Sequence, residues 1–81
     1  MEAIMQVAMQ NPTYESDYYA IEQLLDQYGY IYIYDGLCLR EDCEDVYTLE
    51  GPSGNRHTHL LKEYAIHHLL CLYYGRSMSA N

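Results

Sequence analysis

Arg56 to Tyr74 reads RHTHLLKEYAIHHLLCLYY and is followed by Gly75. At 100° per residue, Leu60, Tyr64, His67 and Cys71 fall on one face, and Leu61, Ala65, His68, Leu69 and Leu72 on a second. Ile66, Leu70 and Tyr73 fall on a third, and Lys62 and Glu63 interrupt the apolar surface. A helix apolar on every side is either wrapped by its own domain or shared with another chain. The stretch predicts a long helix over 57–74 at the centre of the fold, closed by Gly75, with 76–81 as a flexible tail.

Working back from it, Glu50 to Asn55, EGPSGN, is a loop by composition. Val46 to Leu49, VYTL, reads as a strand. Tyr30 to Tyr34, YIYIY, alternates strictly and runs into Asp35-Gly36, a favoured two-residue hairpin turn. Such a turn places Tyr34 opposite Leu37, Ile33 opposite Cys38 and Tyr32 opposite Leu39. Tyr30, Tyr32, Tyr34, Leu37 and Leu39 then share one face, and Ile31, Ile33 and Cys38 the face toward the helices. Arg40 to Asp45, REDCED, reads as a solvated charged loop.

Upstream, Asn11-Pro12 separates two helical segments, because the residue before proline avoids the α region. Glu2 to Gln10 can form a short first helix. A second begins with Asn11 as N-cap and Pro12 at N1, and ends at Tyr28 before Gly29. Tyr14, Tyr18, Ile21, Leu25 and Tyr28 form its apolar stripe. Glu15, Glu22 and Asp26 fall within about 40° of one another on another face, with Tyr19 beside them. The expected fold is a single α+β domain over 1–81. A short antiparallel sheet (hairpin 30–40 plus strand 46–49) packs on two or three helices.

The chain has 81 residues, a net charge of −8, no Trp, no Phe and eleven Tyr. Eleven of the twelve carboxylates lie in residues 1–50 against one base, Arg40, whereas all four His lie after residue 50. Such acidity repels nucleic acid and anionic membrane and attracts basic protein surfaces. Three cysteines make no disulfide framework and suit a reducing compartment. The opening MEAIMQVAMQ lacks the basic start of a signal peptide, and no apolar run approaches the ~20 residues that span a bilayer. A cytoplasmic protein without cofactor is expected.

No nucleotide-binding, zinc-protease or nucleophile-elbow motif is present. Cys71 with His67 or His68 has the residue types for nucleophilic catalysis, but on a helix expected to be buried, so no enzyme activity is expected. A zinc site built from Cys38, Cys43, His67 and Cys71 is an alternative, since His67 and Cys71 are i, i+4 on one helix face. His67-His68 can also serve as a pH-sensitive element. The favoured partner-binding surface is acidic and aromatic: Glu15, Tyr19, Glu22, Asp26, Tyr30, Tyr32, Tyr34, Glu41, Asp42, Glu44 and Asp45. Carboxylates on a rigid scaffold can stand in for phosphates toward a protein with a basic, nucleic-acid-binding groove, with tyrosines as less salt-sensitive anchors.

In size, charge and lack of catalytic motifs the chain resembles small phage-encoded inhibitors, anti-CRISPR proteins and DNA mimics among them. That resemblance implies a non-enzymatic inhibitor acting in a host cytoplasm. A homodimer joined through the long helix is the second expectation.

Overall fold

The computed structural model describes residues 12–34, 36–51 and 54–79, so the expected helix over 2–10 lies outside the described residues. Helix α1 (Tyr14–Tyr28) begins two residues later than Asn11-Pro12 suggested, with Thr13 at the N-cap position. The Thr13 carbonyl accepts the Asp17 amide at 2.9 Å, and its hydroxyl donates to Asp17 at 3.0 Å. Gly29 ends α1 as expected. Its φ of 71° is the left-handed conformation that glycine adopts without a Cβ penalty, and its amide closes on the Leu25 carbonyl at 2.7 Å.

Strands β1 (Tyr30–Tyr34), β2 (Leu37–Cys43), β3 (Val46–Glu50) and β4 (Arg56–His59) form one antiparallel sheet in the order β1-β2-β3-β4. The two-residue turn is present, with Tyr34 opposite Leu37 and Gly36 at φ 83°. The expected register fails one residue further on. A bulge between Tyr32 and Tyr34 moves Tyr32 opposite Cys38 and Ile31 opposite Leu39. Because side chains alternate, this slip exchanges the faces of β2 relative to expectation. Leu37 and Leu39 join Ile31 under the helices, fully buried, and Cys38 passes to the outer face with Tyr30 and Tyr32.

The charged stretch after Leu39 is strand rather than loop as far as Cys43. Opposite β3, Arg40 meets Thr48 and Glu41 meets Tyr47. A second irregularity between Glu41 and Cys43 leads into the turn at Glu44-Asp45, where Asp45 takes φ 62°. Aspartate is among the few side chains that tolerate this conformation.

The long-helix expectation is corrected at both ends. Arg56 to His59 pair with β3 as a fourth strand, and helix α2 (Lys62–Ser79) starts after the Leu60-Leu61 bend and runs through Gly75. Cross-strand partners supply the reason: Thr58 lies opposite Thr48, and Arg56 lies opposite Glu50 with an ion pair at 3.3 Å. The two helices cover one face of the sheet. The core joins Ile21 and Leu25 of α1, Ile31, Leu37, Leu39, Tyr47 and Leu49 of the sheet, and Ala65, Ile66, Leu69, Leu70 and Tyr74 of α2. Each fully buried leucine contributes roughly 2 kcal/mol of transfer free energy. Among the described residues, no helix is long and apolar enough to cross a membrane.

Candidate functional site

Tyrosine hydroxyls at two points tie the helices together. The Tyr14 hydroxyl and His67 Nδ1 lie 2.5 Å apart, and Tyr74 donates its hydroxyl to Asp17 at 2.7 Å. Burial, reinforced by the Asp17 bond, pushes the Tyr74 hydroxyl up to about 12, so it remains a donor throughout the physiological range. Burial lowers His67 and raises the Cys71 thiol. A thiol held up in this way is a poor nucleophile, and the His67 nitrogen that faces α1 is engaged by Tyr14.

The alternative zinc set is dispersed. Cys38 lies on the outer sheet face, Cys43 is exposed beside the β2–β3 turn, and His67 and Cys71 lie on α2. Among the described residues, no three His, Cys, Asp or Glu side chains are placed to hold a metal ion. A cleft lined by Asp17, Ala20, Ile21, Ile33, Leu69, Leu70 and Tyr73 encloses about 190 Å³. Ligand pockets typically start near ~300 Å³.

The expected acidic and aromatic surface divides into two regions. The first is the end of the molecule where α1 hands over to β1. There the Glu41 amide donates to the Gly29 carbonyl at 2.9 Å, which seats the end of β2 against the end of α1. Tyr47, raised first by burial, also feels Glu41, Asp45 and Asp26, with Lys62 opposing them. Carboxylates far apart in sequence thus converge around one buried ring. Lys62 binds Asp26 at 2.8 Å and lies 3.9 Å from Glu22, so these two are partly neutralised. The Asp26 bond is also the main reason that the Lys62 ammonium is raised. Glu41, Glu44 and Asp45 are exposed, as is Glu15 near the other end of α1. Tyr28 and Tyr30 flank the Gly29 junction, 67% and 48% exposed, and Tyr19 is exposed along α1.

The second region is the outer sheet face, with Tyr30, Tyr32, Cys38, Arg40, Thr48, Glu50 and Arg56. It is aromatic but close to neutral, because its charges pair internally. Arg40 binds Asp42 at 2.7 Å and Glu50 at 3.3 Å, and Arg56 binds Glu50. The Thr48 hydroxyl donates to Asp42. Those bonds, from Thr48 first and Arg40 second, hold the Asp42 carboxyl below its usual range. Asp42 is thereby committed within the sheet, unlike Glu41, Glu44 and Asp45. The Tyr34 side chain lies outside what is described.

Sequence reasoning missed Tyr28 as an exposed group, because it falls on the apolar stripe of α1. It also missed Lys62 as the counter-ion of Asp26 and Glu22, since that contact spans thirty-six residues of chain. The α2 faces that suggested a second chain are covered at Ala65, Ile66, Leu69, Leu70 and Tyr74, whereas Leu60, Leu61 and Tyr64 at its start are exposed. No protein-family model matches the chain, and neither a curated protein nor a solved structure matches it.

Proposed function

We propose that this chain is a non-enzymatic docking protein that presents its acidic end to a basic, nucleic-acid-binding surface of another protein, as an inhibitor acting by mimicry. The observation that carries the reading is the convergence at one end of Glu41, paired opposite Tyr47, with Asp45 and with Asp26, the last partly neutralised by Lys62, edged by exposed Tyr28 and Tyr30. Glu44, between the two hairpin acids, adds an exposed charge. Carboxylates fixed on a helix end and a hairpin form charge-assisted hydrogen bonds with lysine and arginine and steer association. The adjacent tyrosines supply apolar area that salt does not screen. Asp42 is left out of the contact set because Arg40 and Thr48 occupy it.

The test is a pull-down with tagged protein from nuclease-treated lysate of its native cells, washed at low and high salt. A parallel bait carries Glu41→Lys, Glu44→Lys and Asp45→Asn, with asparagine chosen to tolerate the φ of 62°. A nucleic-acid-binding protein held by the wild type and lost by the variant supports the reading. Equal retention by both baits removes the acidic end from it.

A further inference from the structure

Three of the four histidines meet where β4 lies against α2. His57 and His59 are i, i+2 on a strand and point to the same side, and α2 presents His68 to both. His59 Nε2 and His68 Nδ1 are 2.9 Å apart. The His57 ring lies edge-on to His68 with centroids 4.7 Å apart, and the His59 and His68 rings are perpendicular at 5.1 Å. A contact between two imidazole nitrogens needs one N–H and one lone pair. It holds with both rings neutral, or with one added proton shared between them. A second added proton sets two N–H groups face to face, and a proton on His57 brings a further positive charge within about 5 Å.

We propose that His57, His59 and His68 form a proton-operated latch: neutral rings hold β4 on α2, and proton uptake as pH falls from neutral toward ~5 releases the strand. The surroundings oppose the charged form. Burial pushes His68 down to about 4, and His57, His59 and His67 act on it in the same direction. Burial and then His57 lower His59. On the sheet side, His59 neighbours Tyr47 and then Glu41, which is two strands away and so about 10 Å distant. On α2, Lys62 and Glu63 sit one to two turns before His68, and the α1 carboxylates nearest that turn, Glu22 and Asp26, are paired with Lys62. No carboxylate is among the groups acting on His68 or His59. The element that would open is a four-residue strand that, among the described residues, has a sheet neighbour on one side alone, the kind of element that opens locally before the whole domain does. The three rings meet edge to face, an arrangement that turns on proton occupancy rather than on nitrogens aimed at one ion.

The sign follows from the lowered affinity of the folded cluster for protons. Stability of the corner is complete above the ordinary histidine value of 6.5 and is lost as pH falls toward the folded value. At pH 5.5 the shift of His68 corresponds to about tenfold at full strength, and about threefold after allowance for its partial exposure.

The test is amide hydrogen exchange on the whole chain in EDTA, corrected for intrinsic rates, at pH 7.5 and 5.5, together with NMR titration of the imidazole nitrogens. The expected result is a threefold to tenfold loss of protection in β4, whose protection stays below that of β2 at both pH values, with His68 titrating below 5.5. In His68→Gln, or in His68→Asn if the first variant folds poorly, the β4 loss shrinks below about twofold. Equal protection of β2 and β4 at both pH values, an undiminished loss in the folded variant, or ordinary titration of His68 overturns the latch.

Discussion

Among the contacts that pair α1 with α2, one has a removal cost that can be worked out. Tyr14→Phe deletes the hydroxyl that lies 2.5 Å from His67 Nδ1 and leaves the ring in place, still 5.4 Å centroid to centroid from the imidazole. The His67 side chain is 8% exposed, so its nitrogen is left in a site that water reaches poorly. An unsatisfied buried acceptor costs ~1–3 kcal/mol. Tyr14 itself is half-buried, which places the expected loss at about 1–2 kcal/mol, or a fall in Tm of roughly 5–10 °C for a domain of this size. The assay is urea unfolding followed by circular dichroism at pH 7.5, where burial keeps His67 neutral. Adding His67→Leu removes the orphaned nitrogen along with its partner, and the double variant should recover at least half of the loss. A Tyr14→Phe variant within 0.3 kcal/mol of wild type (about the scatter of additive effects), or a double variant less stable than both singles combined, would refute the claim that this contact contributes to holding the helices together.

Further outcomes follow from the same core and surface. Leu49→Ala, at a fully buried position between β2 and β4, should cost about 2–5 kcal/mol and leave much of the protein unfolded at 37 °C by thermal melt. Of the three thiols, exposed Cys43 should react with an aromatic disulfide reagent within seconds to minutes, whereas Cys38 and Cys71 react only on unfolding. Rapid reaction of all three in the native protein would contradict the placement of Cys38 and Cys71. Overall stability should begin to decline below pH 6.5, ahead of the carboxylates, as the unfolded chain binds a proton at His68 that the folded state disfavours. A decline of about 1–2 kcal/mol by pH 5 is expected once partial exposure is allowed for, and His68→Gln should flatten that part of the profile.

What could be read from the sequence was local chemistry. Asp35-Gly36 and Gly29 specify their turns by backbone conformation alone, so the hairpin and the end of α1 were both legible. The bulge at β1 has no such mark. Ile33 is apolar on either register, and the packing of Leu37 and Leu39 beneath the helices decides between them. REDC looked like loop because charged residues are rare in strands, yet its strand character comes from partners on β3, with Arg40 opposite Thr48, Glu41 opposite Tyr47 and Cys43 opposite Val46. HTHLLKE continues a helical pattern without a break, so the strand at Arg56–His59 was hidden until Glu50 and Thr48 were placed beside it. The same misreading hid the histidine cluster, since His57 and His59 reach His68 only when they alternate on a strand. The acidic surface was legible as composition, but its division was not: Asp42 is held on the outer sheet face by Thr48 and Arg40, and Lys62 returns thirty-six residues to Asp26.

The measurement that tests the proposed function most directly is competition by duplex DNA for the protein's captured partner. If the acidic end with Asp26, Glu41, Glu44 and Asp45 occupies a nucleic-acid groove, DNA should displace the chain in proportion to its concentration. Displacement should be easier at higher salt, and the variant lacking the hairpin charges should be displaced at lower DNA concentration. A partner that binds DNA and this chain together without mutual loss of affinity would contradict the account.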